Sequence, residues 1–300
     1  MEGLISKIQR YSTKDGPGLR TTVFLIGCNL SCLWCANPEL IAPGEKYLYY
    51  RERCVGCGKC VSVAADNSIT LTEKGCVIDR SRCSNLKECA SSCYYDAYEK
   101  VGYAMTASDL CEKLKRDKDF YDQSGGGVTF SGGEPALQPE FVMETAKLLR
   151  REGIHTALET AGLIKKDRMR ELIQQIDLVL YDIKAMDSKI HLACTGVDNR
   201  VILDNAMMTA EMNIPMIIRL IVVPGYNDDK NDFYNRLQFI KRMGKAVKQI
   251  DILKYHRLGE GKYLRLGLEN RVSIEEPSNE YISEYVQMAR EMGFEPTIGG

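Results

Sequence analysis

Short apolar runs rich in β-branched residues alternate along the chain with longer stretches whose apolar residues recur at helical spacing. Runs of the first kind, bounded by turn residues, are typical of buried parallel strands, and stretches of the second kind predict amphipathic helices. Repeated βα units of this sort predict an α/β protein, either a partial (β/α)6 barrel of the TIM type or an open doubly wound sheet. In both, the active site lies at the carboxyl ends of the strands. The predicted strands are residues 21–27, 127–132, 156–160, 177–183, 216–223 and 249–255.

The alternation breaks between the first predicted strand and the second. Residues 45–103 contain "CVGCGKC" (54–60) and "CSNLKECASSC" (83–93), a density of cysteine that does not fit a barrel strand. We therefore predict that residues 1–44 and 104–300 form the partial barrel and that residues 45–103 are a ferredoxin-like insertion.

Composition and charge narrow the class of protein. A chain of 300 residues with 44% hydrophobic residues can form one sizeable core, and a formal net charge of −1 provides no overall field for nucleic acid or an anionic membrane. The first residues carry charge too early for a signal peptide, and no apolar run approaches the roughly 20 residues of a membrane span. We expect a cytoplasmic protein with neither a nucleic acid nor a membrane as its partner.

Cysteine is the most informative residue type in this sequence. Ten of the 12 cysteines fall within residues 28–93, and in a reducing compartment such crowding indicates metal ligands more than disulfides. Cys111 and Cys194 stand apart, and we predict that they are packing residues.

Three cysteines follow the first predicted strand directly. The stretch "GCNLSCLWCANPE" (27–39) holds Cys28, Cys32 and Cys35. A closed zinc site has four ligands, whereas three thiolates on one loop can hold three irons of a 4Fe-4S cluster and leave the fourth iron open to a substrate. The spacing alone also permits zinc completed by a distant cysteine or by His155, His191 or His256.

The C-x3-C-x2-C spacing with Trp34 before the last cysteine is the pattern of radical S-adenosylmethionine (SAM) enzymes. Six motifs in order, almost from end to end of the chain, resemble the glycyl radical enzyme activating enzymes. They are "STKDGPGLRTTVFLIGC" (12–28), the cysteine loop with "NPE" (37–39), "GGGVTFSGGEP" (125–135), "DLVLYDIK" (177–184), "VVPGYND" (222–228) and "YHRLGEGKY" (255–263).

The resemblance implies an activity. A 4Fe-4S cluster on the three cysteines would chelate SAM, and an electron from a low-potential donor such as flavodoxin or ferredoxin would break a C–S bond. The resulting 5′-deoxyadenosyl radical would take a hydrogen atom from a glycine of a partner glycyl radical enzyme. The alternatives are a radical SAM enzyme acting on a small molecule or RNA, and a non-catalytic iron-sulfur electron carrier or sensor.

The resemblance also implies residue roles. The segment Gly132 to Glu134 would hold the SAM amino group. A monovalent-cation site and the SAM carboxylate pocket would be formed by Glu159, Thr160, Asp182 and Lys184, and many relatives carry the shorter Asp at the position of Glu159. A strand-to-helix turn, a buried arginine paired with a carboxylate and a core histidine are the ordinary alternatives for Gly132 to Glu134, Arg219 and His256. The expected cofactor-binding residues are Trp34, Gly132, Gly133, Glu134, Glu159, Thr160, Asp182, Lys184, Arg219 and His256.

The cysteines of the insertion follow the ferredoxin pattern incompletely. Two-cluster ferredoxins repeat C-x2-C-x2-C-x3-C, and the last cysteine of each run binds the other cluster. We predict one auxiliary 4Fe-4S cluster, because Ala64 and Leu86 occupy two ligand positions of a second one. The alternative is a second cluster on the leftover thiols plus a non-cysteine ligand. The predicted ligands are Cys54, Cys57, Cys60 and Cys93, and the leftover thiols are Cys76, Cys83 and Cys89.

The insertion also bears on which partner is activated. It argues against the formate-lyase activases that lack extra clusters. It favours activases that serve dehydratases, decarboxylases and lyases of C–C, C–N or C–S bonds.

Overall fold

The computed structural model describes residues 1–299, which form a mixed α/β fold around a nine-stranded sheet, with two smaller two-stranded sheets. The strands are β1 (Glu2–Ser12), β2 (Arg20–Leu25), β3 (Lys46–Tyr49), β4 (Ile69–Thr72), β5 (Gly75–Ile78), β6 (Tyr98–Val101), β7 (Tyr103–Thr106), β8 (Gly127–Gly132), β9 (Thr156–Thr160), β10 (Leu178–Asp182), β11 (Met216–Val222), β12 (Val247–Lys254) and β13 (Thr297–Ile298).

The large sheet has the order β13-β12-β11-β10-β9-β8-β2-β1-β7. From β2 to β12 the neighbouring strands are parallel and follow the chain order. All six predicted strands are confirmed. A doubly wound sheet reverses its strand order at a switch point, and the parallel strands from β2 to β12 show no such reversal.

The antiparallel edge of the sheet was missed by sequence reasoning. Strand β1 pairs antiparallel with both β2 and β7, and β7 begins at Tyr103, the last residue that we assigned to the insertion. Much of β1 is exposed and carries charged residues, so it lacks the continuous apolar run by which the buried strands were recognised.

Helices connect the parallel strands, as the alternation of the two kinds of segment along the chain predicted. Local signals set their starts, since the Thr106 hydroxyl accepts a hydrogen bond from the Asp109 amide (3.1 Å) and the Asp229 carboxylate from the Asp232 amide (2.8 Å). The helices are α1 (Lys59–Val63), α2 (Leu86–Ser91), α3 (Ala107–Leu114), α4 (Lys118–Ser124), α5 (Pro139–Arg151), α6 (Lys166–Ile173), α7 (Ser188–Thr195), α8 (Arg200–Glu211), α9 (Lys230–Met243), α10 (Glu260–Leu266) and α11 (Asn279–Glu291).

Short 3-10 helices complete the secondary structure. They are Pro38–Leu40, Arg51–Arg53, Ala65–Asn67, Lys115–Asp117, Pro135–Leu137, Gly244–Ala246 and Arg257–Gly259.

Both faces of the parallel strands are buried. Leu158, Val179 and Ile218 belong to the main core with the helices, whereas Leu180 and Ile217 pack together in a separate cluster. Burial on both faces explains why these strands are apolar throughout.

Residues 46–101 form a separate layer of structure. Strands β3 and β6 pair with each other, β4 and β5 form a hairpin, and a small core contains Cys60, Cys76 and Cys89. A second apolar cluster joins this layer to α10 through Leu48 and Leu266. Among residues 1–299, no helix combines the length and apolarity needed to cross a membrane.

Candidate active site

The three cysteines of the loop that follows β2 line one cavity of about 360 Å³, together with the carboxyl ends of the parallel strands. We call residues 27–41 the triad loop. Every cofactor-binding residue that we predicted lines this cavity as well: Trp34, Gly132, Gly133, Glu134, Glu159, Thr160, Asp182, Lys184, Arg219 and His256.

Backbone hydrogen bonds hold the triad loop at both ends. Its start is fixed by the Cys28 amide, which donates to the Ile41 carbonyl (2.9 Å). Its middle is fixed by the end of α7, where the Thr195 and Cys194 carbonyls accept from the Ser31 (2.8 Å) and Leu33 (2.9 Å) amides.

The two lone cysteines are packing residues, as predicted. Cys194 is buried in an apolar cluster with Trp34, and Cys111 is buried in the main core.

The glycines after β8 allow two backbone segments to touch. A Cβ added to Gly133 would lie 2.3 Å from the Gly27 carbonyl oxygen, and Gly132 has φ +114°. The Glu134 amide then donates to that same Gly27 carbonyl at 2.7 Å. These glycines are therefore needed for packing against the triad loop, whatever ligand the cavity also receives.

Glu134 ties the end of β8 to the end of β9. Its Oε1 accepts from the Thr160 hydroxyl (2.6 Å) and the Ala136 amide (3.0 Å), and its Oε2 accepts from the Ala161 amide (2.9 Å). Burial raises the pKa of this carboxyl, although the three donors favour the charged form.

Arg219 and Glu159 form an ion pair at the centre of the cavity wall. Arg219 also lies 3.8 Å from Asp251, and Glu159 accepts a hydrogen bond from Ser131. Burial alone would raise the pKa of Glu159, but Arg219 and the Ser131 hydroxyl outweigh it and lower that pKa below 4.5. The buried arginine–carboxylate pair that we considered as an alternative is thus present.

Lys184 approaches Asp182 to 3.1 Å on the same wall. Burial alone would lower the pKa of Lys184, but Asp182 and the neighbouring Cys32 outweigh it and raise that pKa. Both carboxylates expected at a cation site therefore already contact a cationic side chain.

A zinc site completed by a histidine would need that histidine beside the three triad cysteines. His256 is exposed and lines the cavity, so the alternative of a core histidine does not apply to it. His155 contacts Arg20 (3.2 Å) and His191 contacts the Val197 carbonyl (2.8 Å), and neither lines the cavity of the triad.

The chemistry of the three thiols fits a cluster. Burial raises the pKa of Cys28 to about 12 and that of Cys35 to about 11, and metal coordination would deprotonate such thiols outright. Within residues 1–299, no three His, Cys, Asp or Glu side chains converge as the ligands of one ion would. Sulfurs bound to different irons of one cluster need not converge on a single point.

Two charged residues that bind the triad loop were not assigned from the sequence. Lys262, from "YHRLGEGKY", donates to the Asn37 side chain (2.6 Å) and to Glu39 (2.7 Å) of the triad loop. Arg271 donates to the Ser31 (2.9 Å) and Cys32 (3.2 Å) carbonyls. The shared motif was the available signal for Lys262, whereas nothing in the sequence marked Arg271.

The cysteines of the insertion form a second site. Cys76 lines the same cavity as the four predicted ligands, and its sulfur lies 3.5 Å from that of Cys60. Cys83 and Cys89 do not line this cavity, although Cys89 shares a small buried cluster with Cys60 and Cys76. The thiols that line this second cavity are Cys54, Cys57, Cys60, Cys76 and Cys93.

Comparison with known proteins first identifies the superfamily to which the chain belongs. A sequence profile of the radical SAM superfamily matches residues 83–237. A domain of pyruvate-formate lyase-activating enzyme from Bacteroides vulgatus has a similar structure, with a TM-score of 0.50 and 32% identity over 58% of this chain and 99% of that one. The chain is thus a radical SAM protein.

Curated relatives then identify the family within this superfamily. The (2S)-3-sulfopropanediol dehydratase activating enzyme of Klebsiella oxytoca is 36% identical (96% of this chain, 93% of that one), and the benzylsuccinate synthase activating enzyme of Thauera aromatica is also 36% identical (99% and 92%). The 4-hydroxyphenylacetate decarboxylase activating enzyme of Clostridioides difficile is 39% identical (91% and 88%). The chain belongs to the family of glycyl radical enzyme activating enzymes.

Proposed function

We infer that this chain activates a partner glycyl radical enzyme by reductive cleavage of SAM. The observation that carries this function is the convergence of the three triad cysteines and ten predicted SAM-pocket residues on one cavity. The relatives named as activating enzymes align with nine-tenths or more of this chain.

Cys28, Cys32 and Cys35 would hold a 4Fe-4S cluster, which when bound supplies the electron that cleaves SAM. The glycine-rich end of β8 would border the amino group of SAM, and Thr160 would belong to the pocket for its carboxylate. Lys184 and Arg219 would face its carboxylate, each with a carboxylate partner that keeps it charged and oriented. Trp34 would pack behind the cluster, and His256 would lie at the rim.

A monovalent cation beside Glu159 and Asp182 has weaker support. A cation there would compete with Arg219 and Lys184 for the same oxygens.

The fold supports the same function. We propose that residues 1–44 and 104–300 form a partial (β/α)6 barrel, since the parallel strands follow chain order and the cavity lies at their carboxyl ends. Residues 45–103 would be the ferredoxin-like insertion.

One auxiliary 4Fe-4S cluster in the insertion accounts for the second cavity, with Cys54, Cys57, Cys60 and Cys93 as its ligands. Cys76 adds a fifth thiol to that cavity. A second auxiliary cluster then has only Cys83 and Cys89, so the placement of Cys76 supports a single auxiliary cluster.

The partner enzyme would reach the cavity through an adjoining groove of about 710 Å³, because Asp15, Asn37, Arg219 and His256 line both spaces. The relatives serve a dehydratase, a synthase and a decarboxylase, so a partner of this broad group is expected. We place the activity in the cytoplasm, with flavodoxin or ferredoxin as the reductant and with neither a membrane nor a nucleic acid as partner.

The test is SAM cleavage by anaerobically reconstituted protein. Dithionite-reduced wild type should yield 5′-deoxyadenosine and methionine, and replacement of Cys28, Cys32 or Cys35 by alanine should abolish both products. An electron carrier or sensor would bind iron without cleaving SAM. Wild-type cleavage by any triad variant would contradict the proposed site.

A further inference from the structure

Helix α10 lies between the two cysteine sites. Towards the triad it presents Lys262, and Gly259 just before it packs so closely that an added Cβ would lie 2.9 Å from the Cys35 carbonyl oxygen. Towards the insertion, Arg265 pairs with Glu52 (3.3 Å) and its carbonyl accepts from Arg80 (2.9 Å).

The contact between Lys262 and the triad loop is an ion pair that is mostly shielded from solvent. The Lys262 ammonium lies 2.7 Å from Glu39 Oε1, and the side chains are 26% and 8% exposed. The other oxygen of Glu39, Oε2, is buried and accepts no hydrogen bond from residues 1–299. Within that range, Lys262 is the one cation within 4 Å of Glu39.

Lys262 is the direct cationic partner of this buried carboxylate, whereas Lys7 and Lys46 act on it only from farther away. The local charge therefore depends chiefly on Lys262. If the partner is removed, the anion stays in a medium where charges act more strongly than in water. Glu39 lies four residues after Cys35, and the same ammonium also holds Asn37, which lines the cavity with the three thiols.

We propose that Lys262 is a positioning residue that neutralises Glu39 beside the triad and so favours the one-electron reduction of the cluster held there. The proposal rests on the proposed function, since it needs a cluster on Cys28, Cys32 and Cys35. Reduction adds a negative charge to the cluster, and a Glu39 without its direct cationic partner opposes that charge more strongly. Lys262 has no role in binding SAM under this proposal.

The effect of the Lys262 charge can be separated from a purely structural role in which Lys262 anchors helix α10. Helix α10 keeps its other contacts when Lys262 is changed, because Gly259, Arg265 and Leu266 are each packed or bonded independently. The charge of Lys262 can therefore be tested with the helix in place.

The experiment is a potentiometric titration of reconstituted protein, monitored by EPR of the reduced clusters. Only the part of the signal that changes when SAM is added is analysed, because that part reports the triad cluster and not the auxiliary one. Lys262→Met should shift the midpoint potential of that signal to a more negative value, and Glu39→Gln should shift it to a more positive one. The double variant Lys262→Met/Glu39→Gln should return close to wild type, because both charges are gone. Lys262→Arg should also stay close to wild type.

The control is Lys230→Met, which removes an exposed lysine that pairs with Glu284 on a remote surface and should leave the midpoint unchanged. An unchanged midpoint in Lys262→Met with a full cluster would overturn the proposal, as would a double variant as negative as the single one. If Lys262→Met does not assemble its cluster, Glu39→Gln decides, and an unshifted midpoint there overturns the proposal. Failure of wild type to cleave SAM would instead contradict the proposed function.

Discussion

At the scale of single residues, the cavity wall is a set of charges that compensate one another. Glu159 pairs with Arg219, Asp182 with Lys184, and Glu134 with two amides and a hydroxyl. A cofactor with both a positive sulfonium and a negative carboxylate suits a wall where charges of both signs are fixed in place. The same pairing makes the stability of the folded chain depend on pH.

The ion pair of Glu159 allows the first prediction. Its pKa lies below 4.5 in the folded chain, so the stabilisation that it provides is present above that pH and is lost as the pH falls through the folded value. Glu159→Gln should lower the free energy of unfolding by about 2 kcal/mol at pH 7, a moderate value for a partly buried pair whose arginine keeps other carboxylates nearby. The difference from wild type should shrink as the pH drops below 4.5.

Urea unfolding of the apoprotein, followed by circular dichroism from pH 4 to 7, measures this difference. Glu284→Gln, which removes an exposed partner of Lys230, is the matched control and should change the free energy by less than about 1 kcal/mol. A Glu159→Gln deficit that stays constant down to pH 4 would show that the pair does not titrate as described.

At the scale of elements, the triad loop depends on the end of α7. Gly196 ends that helix at φ +79°, and a Cβ added there would lie 2.7 Å from the Ser31 hydroxyl oxygen. The helix terminus and the triad loop thus meet at a position that accepts no side chain.

Replacement of Gly196 by alanine should therefore destabilise the contact between the end of α7 and the triad loop. We expect Gly196→Ala to lose about 1 kcal/mol to the left-handed backbone and a further amount to the contact with Ser31. The double variant Ser31→Ala/Gly196→Ala should recover the second part alone. Urea unfolding separates the two contributions, and equal losses in the single and double variants would show that the contact with Ser31 costs nothing.

The auxiliary site allows a prediction at the same scale. Replacement of all three triad cysteines by alanine should leave iron and sulfide for about one cluster, roughly four atoms of each per chain. A result close to eight would mean that Cys83 and Cys89 help to hold a second auxiliary cluster. Adding Cys54→Ala and Cys57→Ala to the triple variant should remove most of the remaining iron.

The elements that sequence reasoning recovered share a physical property. The six parallel strands are buried on both faces, so their apolar runs are visible without any knowledge of their neighbours. Strand β1 is largely exposed, and β7 gains its place only by pairing with β1, so neither shows in the local pattern. The position of Cys76 likewise depends on how a hairpin folds over α1, which no spacing between cysteines reveals.

At the scale of the whole molecule, the catalytic cavity opens into a groove with several lysines on its walls. Lys7, Lys14, Lys254 and Lys262 line this groove, and Tyr11 and Leu258 expose apolar surface beside them. Under the proposed function, this groove is the side from which a partner protein would present a segment of backbone to the cavity.

We predict that the hydrogen donor is a glycine of such a partner. Reduced protein with SAM should give the doublet EPR signal of a glycyl radical when the cognate partner enzyme is added and no such doublet without it. A partner with that glycine replaced by alanine is the control and should remain silent. A radical on a free small substrate in the absence of any partner protein would contradict the assignment.

The pairing of β3 with β6 bears on how the segment between them could be gained or lost in evolution. Lys46 lies opposite Val101, so the chain leaves the main body and rejoins it at neighbouring points, about 5 Å apart in a paired ladder. A single genetic event could therefore add or remove the whole segment, with a short turn closing the gap. Loss of the segment would expose Leu266 and Leu40, which now pack with Leu48 and Val101. A shortened descendant would be expected to carry polar residues at those two positions.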